Sequence, residues 1–432
     1  MSRARCTIAN LALGFAGVLA AFLIAEAVVR VAGLAKPSLY TWAPHRGWGL
    51  KPDAAGWQRD EGEGFVRVNS AGFRGPEWTV AKPPDTFRIA VLGDSFTEAP
   101  QVAYEQTFSA TAEGELARCG ALAGKKIEVM NFGTDGYGTA QELITMRRHA
   151  WRYSPDMVVL AFFSGNDLRN NSVTLEGDKC RPFYIYEGGR LVLGGPFERS
   201  RWFRLSCMMR FESRHSQVLN LIGDAKSQIR ARIKAMESRR PSGHESEGSG
   251  RERASGVELV SEEEPADARQ AHSGSHAPLS HEEGLEDSIY HPPATGPMKD
   301  AWRVTEGIIA MMAREVAAHH ARFLVVTLAN PPQIYPDPRL RASYMQLYGS
   351  TNIFYPDERV KALGEREGFD VLNLAPLMQA YADEHHVYLT GFNDTKMGVG
   401  HWNAAGQRLA GELIAKKTCE MLRVGTEPAA VK

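Results

Sequence analysis

The sequence predicts an α/β protein built on a doubly wound parallel sheet, and three observations predict it. Five short apolar runs rich in Val, Ile, Leu and Phe punctuate the chain, as strands covered on both faces do. Segments of helical period separate them, and strands alternating with helices imply parallel pairing through crossovers. The polar residues that carry chemistry fall just past the ends of the runs, where open α/β sheets place their ligands.

The first run, Phe87-Arg88-Ile89-Ala90-Val91-Leu92, stops at Gly93-Asp94-Ser95. A glycine there lets the backbone turn sharply and leaves a hydroxyl at the carboxyl end of the strand. Taken alone, Ser95 reads as a turn serine capping the next helix. A helix follows at about 106–119, a second strand at 127–132, and a third, the most apolar, at 157–163. An amphipathic helix at about 301–320 leads into a fourth strand at 322–328. A fifth at 370–374 precedes the closing helix at 404–422.

The rest of the 432 residues divides around this core, whose two parts are 87–170 and 301–424. Residues 1–34 read as a transmembrane anchor or signal. After Arg3 and Arg5 the chain is apolar from 11 to 29, broken only by Glu26. As one helix, residues 8–29 would span about 33 Å, enough to cross a bilayer and longer than a usual signal core. Ala25-Glu26-Ala27 also has the small-x-small form of a cleavage site. On either reading the arginines stay inside and the body is exported, to the periplasm or the cell exterior.

Residues 35–86 form an N-terminal extension packed on the core, with Val68-Asn69-Ser70-Ala71-Gly72-Phe73-Arg74-Gly75 as an ordered loop. Residues 171–300 are an insertion. Its first part is aromatic and basic, as a cap with short helices near 203–236 would be. Residues 237–295 hold almost no large apolar side chains, so they are expected to be disordered, and their histidines read as solvated linker residues. Residues 425–432 are a tail. A net charge of −1 lacks the basic field of a nucleic-acid binder, which excludes that class of partner.

Export would place Cys119, Cys180, Cys207 and Cys419 in an oxidising space, with three possible pairings. Cys119 ends the helix after the first strand and Cys419 lies in the last helix. Those helices share one face of a flavodoxin-like sheet, which favours Cys119–Cys419 and Cys180–Cys207, with free buried thiols as the alternative.

Three further sites fall at strand ends or in the last loop. Asn131-Phe132-Gly133-Thr134-Asp135-Gly136 follows the second strand and Ser164-Gly165-Asn166-Asp167 the third. Gly400-His401-Trp402-Asn403 leads into the final helix. A nucleophilic Ser95 needs a base, and His401 has a suitable pKa. An acyl-transfer intermediate needs donors for its oxyanion, which the Ser95 N–H, the Gly136 N–H and the Asn166 side chain can supply. Each residue alone has an ordinary structural reading; their joint occurrence in this order points to a catalytic edge.

On these residues the chain resembles the SGNH hydrolases of the GDSL esterase/lipase superfamily, over about 87–170 and 371–422. Gly93-Asp94-Ser95 resembles the nucleophile block, Gly136 the oxyanion glycine, Gly165-Asn166-Asp167 the asparagine block and His401 the histidine block. The resemblance implies a flavodoxin-like α/β/α fold and ester hydrolysis with no metal or other cofactor. Membrane-anchored bacterial members carry similar Asn-Ser-x-Gly-Phe-Arg segments, which implies envelope or polysaccharide-related substrates.

The chain departs from that pattern at one point. The family usually places an aspartate two or three residues before the histidine, and here those positions are Val399 and Gly398. The nearest preceding acid is Asp394, which either reaches across the loop or leaves a Ser–His dyad. His385 and His386 rank below His401 as bases, because they sit upstream at a helix end. The expected protein is an exported, membrane-anchored serine esterase acting on a small-molecule or glycan ester, with an O-acetyl group as the candidate. The alternatives are an O-acetyltransferase acting on an envelope polysaccharide and a catalytically degenerate glycan-binding or assembly protein.

Overall fold

The computed structural model describes residues 3–31, 39–213, 216, 218 and 286–424. The chain divides into two compact units, one of residues 1–35 and 216–277 and the other of 36–215 and 278–432. The first contains α1 (Arg3–Val31), whose stretch Ala12–Val29 has a mean hydropathy of 2.3. Its length and composition suit a membrane-crossing helix and a signal sequence alike.

The second unit opens with two antiparallel hairpins, β1 (Tyr40–Ala43) with β2 (Gly47–Leu50) and β3 (Ala55–Gln58) with β4 (Gly64–Arg67). There follow β5 (Thr86–Leu92), α2 (Ser95–Glu98), α3 (Phe108–Leu116), β6 (Lys126–Asn131), α4 (Thr139–Arg148), β7 (Met157–Phe162) and α5 (Ser164–Asn170). The hairpin β8 (Phe183–Glu187) and β9 (Arg190–Gly194), α6 (Pro196–Arg199) and α7 (Arg201–Ser213) belong to the insertion. The core resumes with α8 (Gly296–Ala318), β10 (Arg322–Thr327), α9 (Pro331–Ile334), α10 (Pro338–Leu347) and α11 (Tyr355–Glu367). It closes with β11 (Asp370–Asn373), α12 (Leu374–His385) and α13 (Ala404–Val424).

The five core strands are all parallel, in the order β11-β10-β7-β5-β6, which is the flavodoxin-like order. Alternate residues of each strand enter different cores. Ala90, Leu92, Val158 and Leu160 join a cluster with Leu143, Trp302, Ile308 and Leu363 from α4, α8 and α11. Ile89, Val91, Val159 and Ala161 join Phe108, Leu116, Met378 and Ile414 from α3, α12 and α13. Both faces are therefore covered, which is why the strands read as continuous apolar runs. The strand β5, which leads into Ser95, lies centrally, with Val91 beside Val159 on one side and Asn131 on the other.

α3 and α13 pack closely enough that a Cβ at Gly411 would sit 2.6 Å from Thr111 Cβ, and a disulfide joins Cys119 to Cys419 there. A second disulfide joins Cys180 to Cys207 and ties α7 to the segment before β8.

Two expectations need correction. Residues 286–295, inside the stretch expected to lack structure, are built into the fold. Asp287–Tyr290 form a 3-10 turn, Ile289 and Tyr290 enter the core, and Thr295 caps α8 by accepting from the Met298 N–H. Those two apolar side chains anchor the segment together with the Glu286 N–H donating to Gly165 O and the Ser350 hydroxyl donating to Tyr290 O; the rest of that stretch, 237–285, lies outside the described residues. The expected helix at 106–119 is shorter, a 3-10 turn at Tyr104–Gln106 followed by α3, because Thr107 caps α3 by accepting from the Ala110 N–H. Of the cap helices expected near 203–236, α7 covers 201–213 and the remainder falls among residues that, but for 216 and 218, lie outside the described set.

Candidate active site

The wholly buried strand β5 ends at Gly93, where the chain must pass closely under α2. A Cβ at Gly93 would lie 2.1 Å from Thr97 Oγ1, so only glycine fits. Asp94 caps α2, its Oδ1 accepting from the Phe96 N–H at 2.9 Å, and Ser95 becomes the first helical residue. Its hydroxyl meets His401, with Oγ 2.8 Å from Nε2. The loop bearing His401 is fixed by the residue that follows: Trp402 is fully buried, donates to Ala329 O at 3.1 Å and packs on Phe96.

The acid beside His401 is Glu61, from the loop between β3 and β4. Its Oε2 is 2.5 Å from Nδ1, and its Oε1 accepts the His401 backbone N–H at 2.7 Å. With Glu61 ionised, Nδ1 carries the proton and Nε2 is free to accept from Ser95. Gly400 permits this approach: it has φ +76°, and a Cβ there would lie 2.0 Å from Glu61 Oε1.

Asp394 is not that acid. Its Oδ1 accepts the Gly62 N–H at 3.2 Å, so it tethers the loop that carries Glu61. The segment 391–398 turns through two left-handed glycines, and Gly62 at φ +65° is seated against Phe392, which brings Asp394 to the Gly62 N–H and not to the imidazole. His385 is exposed, packs on Tyr381 and takes no part in the site.

The expected oxyanion residues stand on the same edge. Asn166 Nδ2 donates to Asp94 Oδ2 at 3.1 Å, which holds the amide beside the residue preceding Ser95. Gly136 lies at φ +70° in the loop after β6. That loop is fixed by Trp48 Nε1 donating to Asp135 O at 2.9 Å, and by the Asp135 N–H donating to Glu98 Oε2 at 2.7 Å. Glu98 closes α2, so one helical turn links Ser95 to the glycine loop.

The Asn-Ser-x-Gly-Phe-Arg segment supports this turn from beneath. Asn69 Oδ1 accepts the N–H groups of Ala71 and Phe73, Phe73 packs edge-on to Phe132, and the buried Arg74 donates to the carbonyls of Glu98, Ala99 and Val102. Arg74 thus pins the chain leaving α2, where Ala99 adopts a left-handed conformation.

Charge is arranged around the histidine. Enclosure pushes the His401 imidazole down, but the Glu61 hydrogen bond and charge, with smaller help from Asp135 and Asp94, outweigh it and the net shift is upward. Burial raises Asp94 to about 6 and Glu98 to about 7. An imidazolium formed beside Glu61 is stabilised, as a base that must accept a serine proton requires.

Sequence reasoning missed Glu61 and Glu98, and it placed Arg74 in an ordered loop without the carbonyls it binds. Glu61 lies 340 residues from His401, and no spacing rule connects them. The available signal was indirect: Glu61-Gly62-Glu63-Gly64 is a glycine-spaced acidic loop, and Gly400 leaves room beside the histidine.

No family model and no curated protein sequence matches the chain. Among solved structures it is similar to an acetyl xylan esterase, at 12% identity and TM-score 0.36 over 77% of this chain and 99% of that one. It is similar to a lipase/acylhydrolase from Enterococcus faecalis, at 11% identity and TM-score 0.33 over 78% and 97%. A third, a GDSL-like lipase from Bacteroides thetaiotaomicron, has 13% identity and TM-score 0.30 over 79% and 92%.

Proposed function

We propose that the protein is a serine ester hydrolase of the SGNH type, working through Ser95, His401 and Glu61. The observation that carries this is the continuous hydrogen-bonded line from Ser95 Oγ through both nitrogens of His401 to the Glu61 carboxylate. Ser95 Oγ attacks the acyl carbon while His401 Nε2 takes its proton, and Glu61 stabilises the imidazolium. The carbonyl electron pair moves onto oxygen, which receives the Ser95 and Gly136 N–H groups and Asn166 Nδ2. Collapse breaks the bond to the alcohol, which leaves with the proton from His401. Water, deprotonated by His401, then releases the acid and restores Ser95.

In this reading the catalytic unit is exported and anchored by α1, and the substrate is an ester on a glycan, an O-acetyl group first. Two disulfides support export, since such bonds persist in oxidising compartments. The full-length protein in detergent should hydrolyse phenyl acetate, with turnover lost in Ser95→Ala. Equal turnover in that variant would refute the reading.

A further inference from the structure

A cavity of about 370 Å³ opens beside Gly136, within the range of small-molecule pockets, about 300–1,000 Å³. Its walls come from separate parts of the chain. Trp42 and Trp48 belong to the first hairpin, Asp135 and Gly136 to the oxyanion loop, and Arg181 and Phe211 to the insertion. The walls are fastened together. The Cys180–Cys207 disulfide holds α7 against the Arg181 segment, and the Gly47 turn is so near that a Cβ there would lie 2.3 Å from Cys180 O.

Arg181 is the informative residue. It is only 6% exposed, yet its buried Nε and Nη1 donate no hydrogen bond among the described residues, and its ion pair with Glu176 is loose at 3.7 Å. Its guanidinium lies over the Trp48 ring at 4.9 Å. A buried cation with idle donors is costly unless a ligand uses them.

Three ligand chemistries compete for this space. An alkyl chain would leave Arg181 without a partner. An anion would meet Asp135 and Asp178, whose charges already match Arg181 and Arg210 in the same lining. A neutral sugar ring answers every wall: hydroxyls donate to Asp135 and accept from Arg181, and the C–H face packs on indole.

We propose that this cavity is the subsite for an uncharged glycosyl ring of the substrate's alcohol part, oriented by Arg181 and Asp135 beside Trp42. The inference rests on the hydrolase reading and narrows its glycan to an uncharged sugar ring held in a named subsite. Full-length Ser95→Ala protein in detergent, titrated calorimetrically with mono-O-acetylated methyl glycosides of xylose, glucose, mannose and galactose, tests it. At least one sugar should bind with Kd below about 10 mM, and more tightly than octyl acetate or the matching uronate. Adding Arg181→Gln should weaken that binding about ten- to hundredfold. Trp42→Ala, at a half-buried position, should also weaken it and keeps the test open if the arginine variant does not fold.

Binding by none of the sugars, preference for the alkyl ester or the uronate, or unchanged affinity in the folded variants would overturn the proposal. Phenyl acetate turnover by the unmodified protein separates the two readings. Turnover without sugar binding overturns only the subsite, and sugar binding without turnover overturns only the hydrolase.

Discussion

Glu61 and His401 are joined twice, once through the imidazole and once through the histidine's own backbone N–H. The two bonds use different carboxylate oxygens, so the acid fixes both the ring and the loop that carries it. Here the acid arrives from the N-terminal extension, which makes that extension part of the proposed catalytic unit.

Replacing the acid tests its role against its neighbour. Glu61→Gln should lower kcat for phenyl acetate about 10⁴-fold, the loss seen when a triad acid is neutralised. Asp394→Asn should stay within about tenfold of wild type, since asparagine still offers an oxygen to the Gly62 N–H. The reverse ranking would return the acid's role to Asp394.

Gly400 supplies a second, independent probe of the same contact. Gly400→Ala should lower kcat nearly as far as Glu61→Gln, because the new methyl group would occupy the place of Glu61 Oε1. The left-handed backbone would cost roughly 1–2 kcal/mol in addition, visible as a lower Tm. Full activity in the alanine variant would show that the carboxylate need not sit there.

The acid limb of kcat/KM follows from the charge around the histidine. His401 must be neutral to accept the Ser95 proton, and its pKa lies above the ordinary 6.5. Activity should therefore fall as pH drops through a value above 6.5. In Glu61→Gln the residual activity should show that limb moved to lower pH. A limb that does not move would contradict the pairing.

Glu98 gives the fold a pH dependence of its own. Burial and the Asp135 charge hold its carboxyl at about 7 against an ordinary 4.5, so the folded state binds the proton more tightly than the unfolded chain. That contribution is complete below pH 4.5 and is lost as pH rises towards 7, up to about 3 kcal/mol. Glu98→Gln should flatten the unfolding free energy against pH across this window, measured by urea denaturation. An unchanged slope would contradict the burial.

What the sequence revealed follows from the range of the physics involved. The five strands were legible because each is buried on both faces, so its apolar run is local and continuous. Ser95, Asn166 and His401 stand at strand ends or in the last loop, where topology brings distant segments together. Glu61 was not legible, because its pairing depends on how the β3–β4 loop docks against Phe392 and Gln101, which no local pattern encodes. Arg74 was hidden for a related reason. A fully buried arginine reads as a surface residue until the carbonyls of Glu98, Ala99 and Val102 are seen around it.

Active-site labelling tests the central claim most directly. The full-length protein in detergent is treated with a fluorophosphonate and the modified peptide mapped by mass spectrometry. The account predicts a single label on Ser95, absent in His401→Ala, strongly slowed in Glu61→Gln and close to wild type in Asp394→Asn. A folded protein that takes no label, or one labelled as fast without Glu61 as with it, would contradict the Ser95–His401–Glu61 unit.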